Sequence, residues 1–421
     1  MNYININDPI SGFIFIPKDL VTLIDSNEIQ RLRRIKQLSG AEYVYPGANH
    51  TRFEHSIGVM SNVQNLLDLL EKNENLKIDS QYRKSAVVAG LTHDLGHGPF
   101  SHNFEDILVK KSGKDHEDFT RMIILNSGIG DKIEKLGLDK HIVADLAVGR
   151  YNKDDYLYLD QMIAGAIDCD QMDYLVRDSY HCGTNISPVI RKRIMTLAGI
   201  TPSMDLGYNI KGIATLESFL LARLNAFRTI YFHKTSRAVQ LMLGKAIKEY
   251  NKEMNAFDFT NAEEYLRWDD ISLYNELLHC NKSKEIMKKI RRRDLIKCAY
   301  EKPNKISKGE EKPKMGNPKK IRQDIADKSN LYIEDIYIDF PMMTSVPYQH
   351  STSLKQTLIP VFTIDNHGNK IMEEIEKKSL FFDQIKGYYN LVRVYCDKKY
   401  RDIVKKTAKQ VLFGLTLDEF W

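Results

Sequence analysis

Cysteine is scarce in this chain. Five thiols in 421 residues, at positions 169, 182, 280, 298 and 396, are too few and too scattered for a disulfide framework. None sits in a Cys-x-x-Cys pair, which removes a zinc finger, and the distribution points to a reducing, cytoplasmic setting. No run of about eighteen apolar residues occurs, so no membrane span is expected. The opening Met1-Asn-Tyr-Ile-Asn-Ile-Asn-Asp has no basic stretch leading into an apolar one and so does not read as a secretory signal. A strong charge of either sign is also missing. The net +5 is small for this length, compatible with anionic small molecules or weak nucleic-acid contact, and it singles out neither.

Hydrophobic residues make up 43% of the chain, enough for a sizeable core, and the length suits one large domain with appendages or two to three lobes. Asp8-Pro9 reads as a turn before a short strand at Gly12–Ile16. A helix follows over Pro17–Asp25. Asp25 and Glu28 have capping-box spacing for a second, with Ile29, Leu32, Ile35 and Leu38 on one face and Gly40 as its stop. Further helices are expected over Phe53–Leu70, Lys84–Leu95, His116–Leu125, Lys140–Val148, Gln161–Tyr180 and Thr215–Tyr250, the last interrupted only at Gly244. Residues Arg291–Lys320 are rich in Lys, Arg, Glu and Pro and read as a solvated linker. Strand-like patterns then appear at Leu331–Phe340, Thr357–Ile364 and Asn390–Cys396, with a closing helix at Arg401–Phe413. The expected fold is mainly α: a helical body with a smaller C-terminal mixed α+β lobe. The expected divisions are 1–50, a core at 51–255, a helical and basic linker region at 256–330, and the lobe at 331–421.

The densest chemistry lies in Thr92-His-Asp-Leu-Gly-His-Gly-Pro-Phe-Ser-His102. Half of the twelve histidines fall between His50 and His116. His55 belongs to one expected helix, His93 and Asp94 to the end of another, and Asp170 to a third. Two imidazoles and two carboxylates can converge on one divalent cation, and this mixed set suits Mn, Fe, Zn, Ni or Mg. Such an ion lowers the pKa of a bound water and polarises a phosphoryl group. A lone His-Asp pair is more often structural, but Gly96, Gly98 and Pro99 suit backbone that turns sharply near a ligand. His97, His102 and His116 are then free for acid–base work, with His116-Glu117 resembling an oriented imidazole. Asp170, Tyr174 and Asp178, four apart, form one helical stripe. Arg223, Tyr231 and nearby Lys234 form another, which would bring cations to phosphates.

These residues resemble the HD-domain phosphohydrolases. More closely, the chain resembles the deoxynucleoside triphosphate triphosphohydrolases typified by the sterile-alpha-motif and HD-domain protein, without the sterile-alpha-motif module. The likeness runs through Asn7-Asp-Pro-Ile-Ser-Gly12, Gln30–Leu38, Val44–Val59, Thr92–His102, Ile167–Asp178 and Leu391–Cys396, and is looser between Ala256 and Ser329. It implies hydrolysis of a dNTP to deoxynucleoside and tripolyphosphate by attack at the α-phosphorus. The implied metal ligands are His55, His93, Asp94 and Asp170. His102 and His116 would be acid–base groups, Arg52 and His97 phosphate contacts. Tyr174, Arg223 and Lys234 would hold the outer phosphates, and Gln37, Leu38, Asp178 and Tyr231 would line the sugar pocket. A Mg-bound nucleotide is implied as well. Where relatives carry a phosphate-binding Lys after the metal Asp, this chain has Gln171, and Phe227 replaces a family His. Asn5, Asp25, Gln30 and Arg33 match positions that read an activating guanine nucleotide, GTP or dGTP, at a subunit interface; this implies a homo-oligomer, dimer or tetramer. The alternatives are an HD phosphohydrolase for a nucleoside monophosphate, cyclic nucleotide or other phosphoester, and a non-catalytic nucleotide sensor or nucleic-acid-binding regulator using the basic stretch.

Overall fold

The computed structural model describes residues 3–186, 191–306, 317–344, 359–379 and 388–413. Its α-helices of eight residues or more are α1 (Arg52–Glu74), α2 (Ser80–Thr92), α3 (His102–Ser112), α4 (His116–Asn126), α5 (Gly128–Lys135), α6 (Lys140–Ala147), α7 (Leu157–Ala164), α8 (Cys169–Cys182), α9 (Ile213–Ala226), α10 (Lys234–Met254), α11 (Asp270–His279), α12 (Lys284–Arg291), α13 (Pro318–Ser329) and α14 (Arg401–Phe413). The chain is mainly helical, as expected, with small sheets. Among the described residues no helix is long and apolar enough to cross a membrane.

Helix α1 is the axis of the body. Its apolar stripe Ile57, Met60, Val63, Leu66, Leu67 and Leu70 is fully buried, against α2 on one side and α8 on another. Gly58 allows that approach, because a Cβ there would collide with the Asp173 carboxylate and the Arg177 guanidinium of α8. The first turns of α1, the end of α2 and the start of α8 therefore meet at one place.

Strands β1 (Tyr3–Asp8) and β2 (Gly12–Pro17) form an antiparallel hairpin whose turn is held by Asp8, which accepts the amides of Ile10 and Ser11. Strand β1 is an addition to the expected elements, although Tyr3-Ile-Asn-Ile-Asn7 carries the alternation of a strand. A second sheet orders β3 (Ala198–Ile200), β4 (Leu206–Asn209), β8 (Val361–Ile364) and β9 (Lys370–Glu373), with β4 and β8 parallel. A third pairs β10 (Tyr388–Cys396) with β5 (Lys297–Ile306), β6 (Tyr337–Asp339) and β7 (Met342–Thr344). The larger core takes in Ile359, Val361 and Ile375 beside the helical body, whereas the smaller one joins Ala299, Ile321 and Ile325 to Val394, Val404 and Leu412.

Several expected elements differ. Ser26, not Asp25, caps the second helix, accepting the Ile29 amide, and Glu28 turns away to accept Ser127 Oγ and the Ile129 amide. That helix ends by Arg34; Ile35 and Leu38 lie beyond it in a segment where Lys36 bridges Thr51. Gln161–Tyr180 is two helices, since Gly165 ends α7 and Asp168 caps α8 through the Gln171 amide at 2.7 Å. The long helix near residue 230 breaks at Phe232–His233 after a π-helical turn over Phe227–Tyr231, and α10 runs unbroken through Gly244. Arg393 of β10 takes the Phe232 carbonyl, so a distant strand stabilises the break. The expected linker is partly strand β5; residues 307–316 lie outside the described residues, as do Thr357 and Leu358.

Candidate metal centre and catalytic cavity

His55 on α1, His93 just past α2 and Asp170 on α8 place three donor atoms within 4.8 Å of one another. His55 Nε2 is 2.9 Å from Asp170 Oδ1 and 3.3 Å from His93 Nε2. Each ring is fixed from behind. His55 Nδ1 donates to Asp173 at 2.9 Å, and His93 Nδ1 donates to the Gly90 carbonyl at 3.0 Å. With hydrogens on both Nδ1 atoms, the two Nε2 lone pairs of neutral rings point at each other, an arrangement that a cation relieves. This donor set fits a divalent ion with bonds of about 2.0–2.2 Å. Asp94 completes the wall, 3.4 Å from His93 Nε2 and 3.8 Å from His55 Nε2. Burial opposes its ionisation, yet Arg52 at 2.6 Å and the imidazoles of His93 and His55 hold it down to about 2. Burial works against a second proton on His55, but the hydrogen bonds to Asp170 and Asp173 raise it to about 10, so a cation bound to the neutral ring would take the place of that proton on Nε2.

The support extends to the N-terminal hairpin. Arg177 donates to Asp173 at 2.7 Å and to Asp8 at 2.7 Å, so Asp8–Arg177–Asp173–His55 is a buried chain from the surface hairpin to a ligand. Asp173 and Arg177 stand within the Ile167–Asp178 stretch; their separation of four residues suits a helical ion pair, but nothing in it marks the contacts with His55 and Asp8.

The loop after Asp94 is shaped by packing. Gly96 lies on the start of α4, where a Cβ would strike the His116 carbonyl, and Gly98 lies against the Phe104 ring; these glycines serve close packing within the protein, a correction to the ligand-approach reading. The left-handed residues are Phe100 (φ 54°) and Ser101 (φ 51°), a strained pair. Asp270 holds them, accepting the Phe100 and Lys36 amides at 2.8 and 2.9 Å, while Ser101 Oγ accepts from Arg52.

Three further imidazoles face this centre. His97 stacks on His116 with ring centres 4.2 Å apart, and His102 meets both edge-on. Glu105, one turn along α3 from His102, accepts from His102 Nδ1 at 2.8 Å and His116 Nδ1 at 2.5 Å. Glu117 pairs with Arg150 instead, so the oriented imidazole at His116 is real but its carboxylate is Glu105. Burial and the nearby Arg52 guanidinium push His97 well below its ordinary value, which keeps it neutral. Burial also acts against a proton on His116, but Glu105 outweighs it and raises His116.

A cavity of about 640 Å³ opens over these groups. Its wall includes all the expected ligands and catalytic histidines, and Gln37, Leu38, Arg52, Tyr174, Asp178, Arg223 and Tyr231. Arg223 hydrogen-bonds the Tyr174 phenol, and Tyr231 donates to Asp178 at 2.7 Å. Lys234 does not border it; it is exposed at the start of α10, after the break at Phe232–His233 turned the helix. Gln171 does border it, but its amide NH₂ is bonded to the Gly165 carbonyl and to Asp168 at 2.9 Å. Asn5, Asp25, Gln30 and Arg33 stand outside. Asn5, Asp25 and Arg33 are exposed, and Arg33 bonds Gln30 at 2.8 Å with its guanidinium 3.5 Å over the Phe53 ring.

Known proteins resemble this chain in sequence and in fold. The HD domain matches residues 52–178 and the HD associated region matches residues 202–419. The deoxynucleoside triphosphate triphosphohydrolase SAMHD1 homolog of Dictyostelium discoideum is 31% identical over 70% of this chain and 60% of its own length. The deoxynucleoside triphosphate triphosphohydrolase SAMHD1 of Homo sapiens is 29% identical over 93% of this chain and 70% of its own. A crystal structure of a hypothetical protein from Aquifex aeolicus superposes with a TM-score of 0.77 at 25% identity, covering 96% of this chain and 99% of that one. The chain spans about three fifths of the length of several curated relatives it matches.

Proposed function

The chain belongs to the HD-domain family, an HD domain followed by its HD-associated region, and on that premise we propose that this phosphohydrolase cleaves deoxynucleoside triphosphates to deoxynucleoside and tripolyphosphate. The observation that carries the reading is the meeting, in one cavity, of the His/Asp centre, the His102–Glu105–His116 array and the Asp178–Tyr231 pair. A divalent cation held by His55, His93, Asp94 and Asp170 would supply the lowered water pKa and the polarised phosphoryl group. The protein's own residues do the rest. Arg52, anchored on Asp94 and Ser101, places positive charge where the α-phosphate sits. Neutral His97 offers a hydrogen bond without a second charge. Water forms the new bond to phosphorus and releases a proton to solvent, the bond to the sugar 5′-oxygen breaks, and His116, held protonated by Glu105, gives its proton to that leaving oxygen and is reprotonated from solvent. Arg223 and Tyr174 receive the outer phosphates, and Gln37, Leu38, Asp178 and Tyr231 receive the sugar.

The group formed by exposed Asp25 and Arg33 with half-buried Gln30, together with Asn5 on the hairpin, is the candidate site for a GTP or dGTP activator shared between subunits of a homo-oligomer. Activator binding would then favour assembly by linkage. A second reading, action on a nucleotide with fewer phosphates, is favoured by Gln171, whose NH₂ is committed to Gly165 and Asp168. One assay separates them. The purified protein is given each dNTP with Mg or Mn, with and without GTP or dGTP, and products are resolved by ion exchange. Tripolyphosphate release supports the first reading; inorganic phosphate from monophosphates, with triphosphates intact, replaces it with the second.

A further inference from the structure

Asp178 is gripped from both sides at the cavity wall. Tyr231 donates to Oδ2 at 2.7 Å, and His50 Nε2 lies 2.7 Å from Oδ1. Both partners in the second contact are buried, Asp178 at 2% exposure and His50 at 3%. A carboxylate only accepts, so Nε2 carries the ring hydrogen. Nδ1 meets no hydrogen-bond partner among the described residues, which leaves that single N–H as the ring's one committed bond. The ring is held flat against His181, with centres 4.4 Å apart and planes 14° apart. The His50 carbonyl accepts the Gln37 amide at 3.1 Å. His50 thus fixes two cavity-wall residues, Gln37 through its backbone and Asp178 through its side chain, without bordering the cavity itself.

We propose that His50 is a positioning residue for hydroxyl recognition: it aims the Asp178 carboxylate so that a sugar hydroxyl of the substrate can donate to it. The inference rests on the nucleotide reading above and deepens it. With one bond taken on each oxygen by His50 and Tyr231, the carboxylate keeps acceptor capacity for a ligand O–H. A substrate lacking that hydroxyl leaves the buried acceptor short of a partner and is discriminated against.

The test compares a 2′-deoxynucleoside triphosphate with its 2′,3′-dideoxy analogue, measuring KM and kcat for wild type, His50→Phe and His50→Gln. Wild type prefers the hydroxyl-bearing substrate. His50→Phe, which keeps the stack but not the donor, raises KM for that substrate about tenfold, the scale of one hydrogen bond. It leaves KM for the dideoxy analogue unchanged, so the preference collapses. His50→Gln, whose amide reaches the place of Nε2, restores it. If His50→Phe does not fold, His50→Asn, too short to reach Asp178, gives the same comparison. Retained preference in the donor-less variants overturns the inference while leaving the nucleotide reading intact. So does equal damage to both substrates that His50→Gln fails to repair, which marks a structural role. Wild type that hydrolyses neither compound overturns both.

Discussion

Two groups of histidines line the cavity, and they are built on opposite plans. His55 and His93 are buried, and each Nδ1 is tied to its own acceptor, Asp173 for one and the Gly90 carbonyl for the other. Their Nε2 atoms have one orientation available. His102 and His116 share a single carboxylate, Glu105, and His102 presents 77% of its side chain to solvent. The first pair is held as ligands are held, with separate fixed supports. The second suits the proton transfer proposed for it, because a shared carboxylate couples two rings and one ring reaches water. The division of labour follows from what stands behind each ring more than from the rings themselves.

The comparison can be broken most severely on the ligand side. Asp170→Asn or His93→Ala is expected to lower turnover by at least about a thousandfold and to strip bound metal, measured by elemental analysis. Full metal content with full activity would remove the centre from the mechanism. On the acid–base side, Glu105→Gln is expected to cost about a hundredfold in kcat while metal content stays at the wild-type level. Its pH profile carries a sign. Glu105 raises His116, so the proposed acid keeps its proton to higher pH; without the carboxylate the alkaline limb of kcat is expected to move to lower pH. An unmoved limb would detach His116 from the proton transfer. Smaller again is Asp173→Asn, which loosens the orientation of His55 and is expected to weaken metal affinity about tenfold, read by chelator competition, with the Glu105-dependent pH limb in place. Smallest is Gln171→Lys. Where Gln171 now bonds Gly165 and Asp168, an ammonium would lower KM for a triphosphate by about threefold relative to a monophosphate, a partly screened ion pair's worth. A KM ratio that does not move would place Gln171 away from the phosphate tail.

The ligand pair is legible in the sequence, because His93-Asp94 and the upstream His55 declare themselves by type and spacing. Glu105 is within reach of the same reasoning: it lies three residues after His102, the separation that brings side chains together on a helix. His50 is not, since its partner Asp178 is 128 residues away and no local pattern ties a histidine to a distant carboxylate. The helix breaks divide the same way. Gly165 marks the first locally, but the Phe232 carbonyl freed at the second is taken up by Arg393 from β10, which no local pattern announces. On an unbroken helix Lys234, eleven residues after Arg223, would share its face, and this spacing together with the family resemblance is what assigns it to the site. Asp25 and Glu28 have the spacing of a cap, but tertiary structure commits Glu28 to Ser127 and Ile129 instead.

The parallel pairing of β4 with β8 has a consequence for how the protein is made. Tyr208 donates its amide to the Pro360 carbonyl, and Val361 lies fully buried in the core that also surrounds α1. A ribosome delivering the chain from its N-terminus exposes β4 long before its partner exists. At ordinary elongation rates the wait is on the order of ten seconds. Through that interval the half-built body carries an open sheet edge next to an unfinished core, so a nascent or truncated chain ending before β8 is a natural client for chaperones.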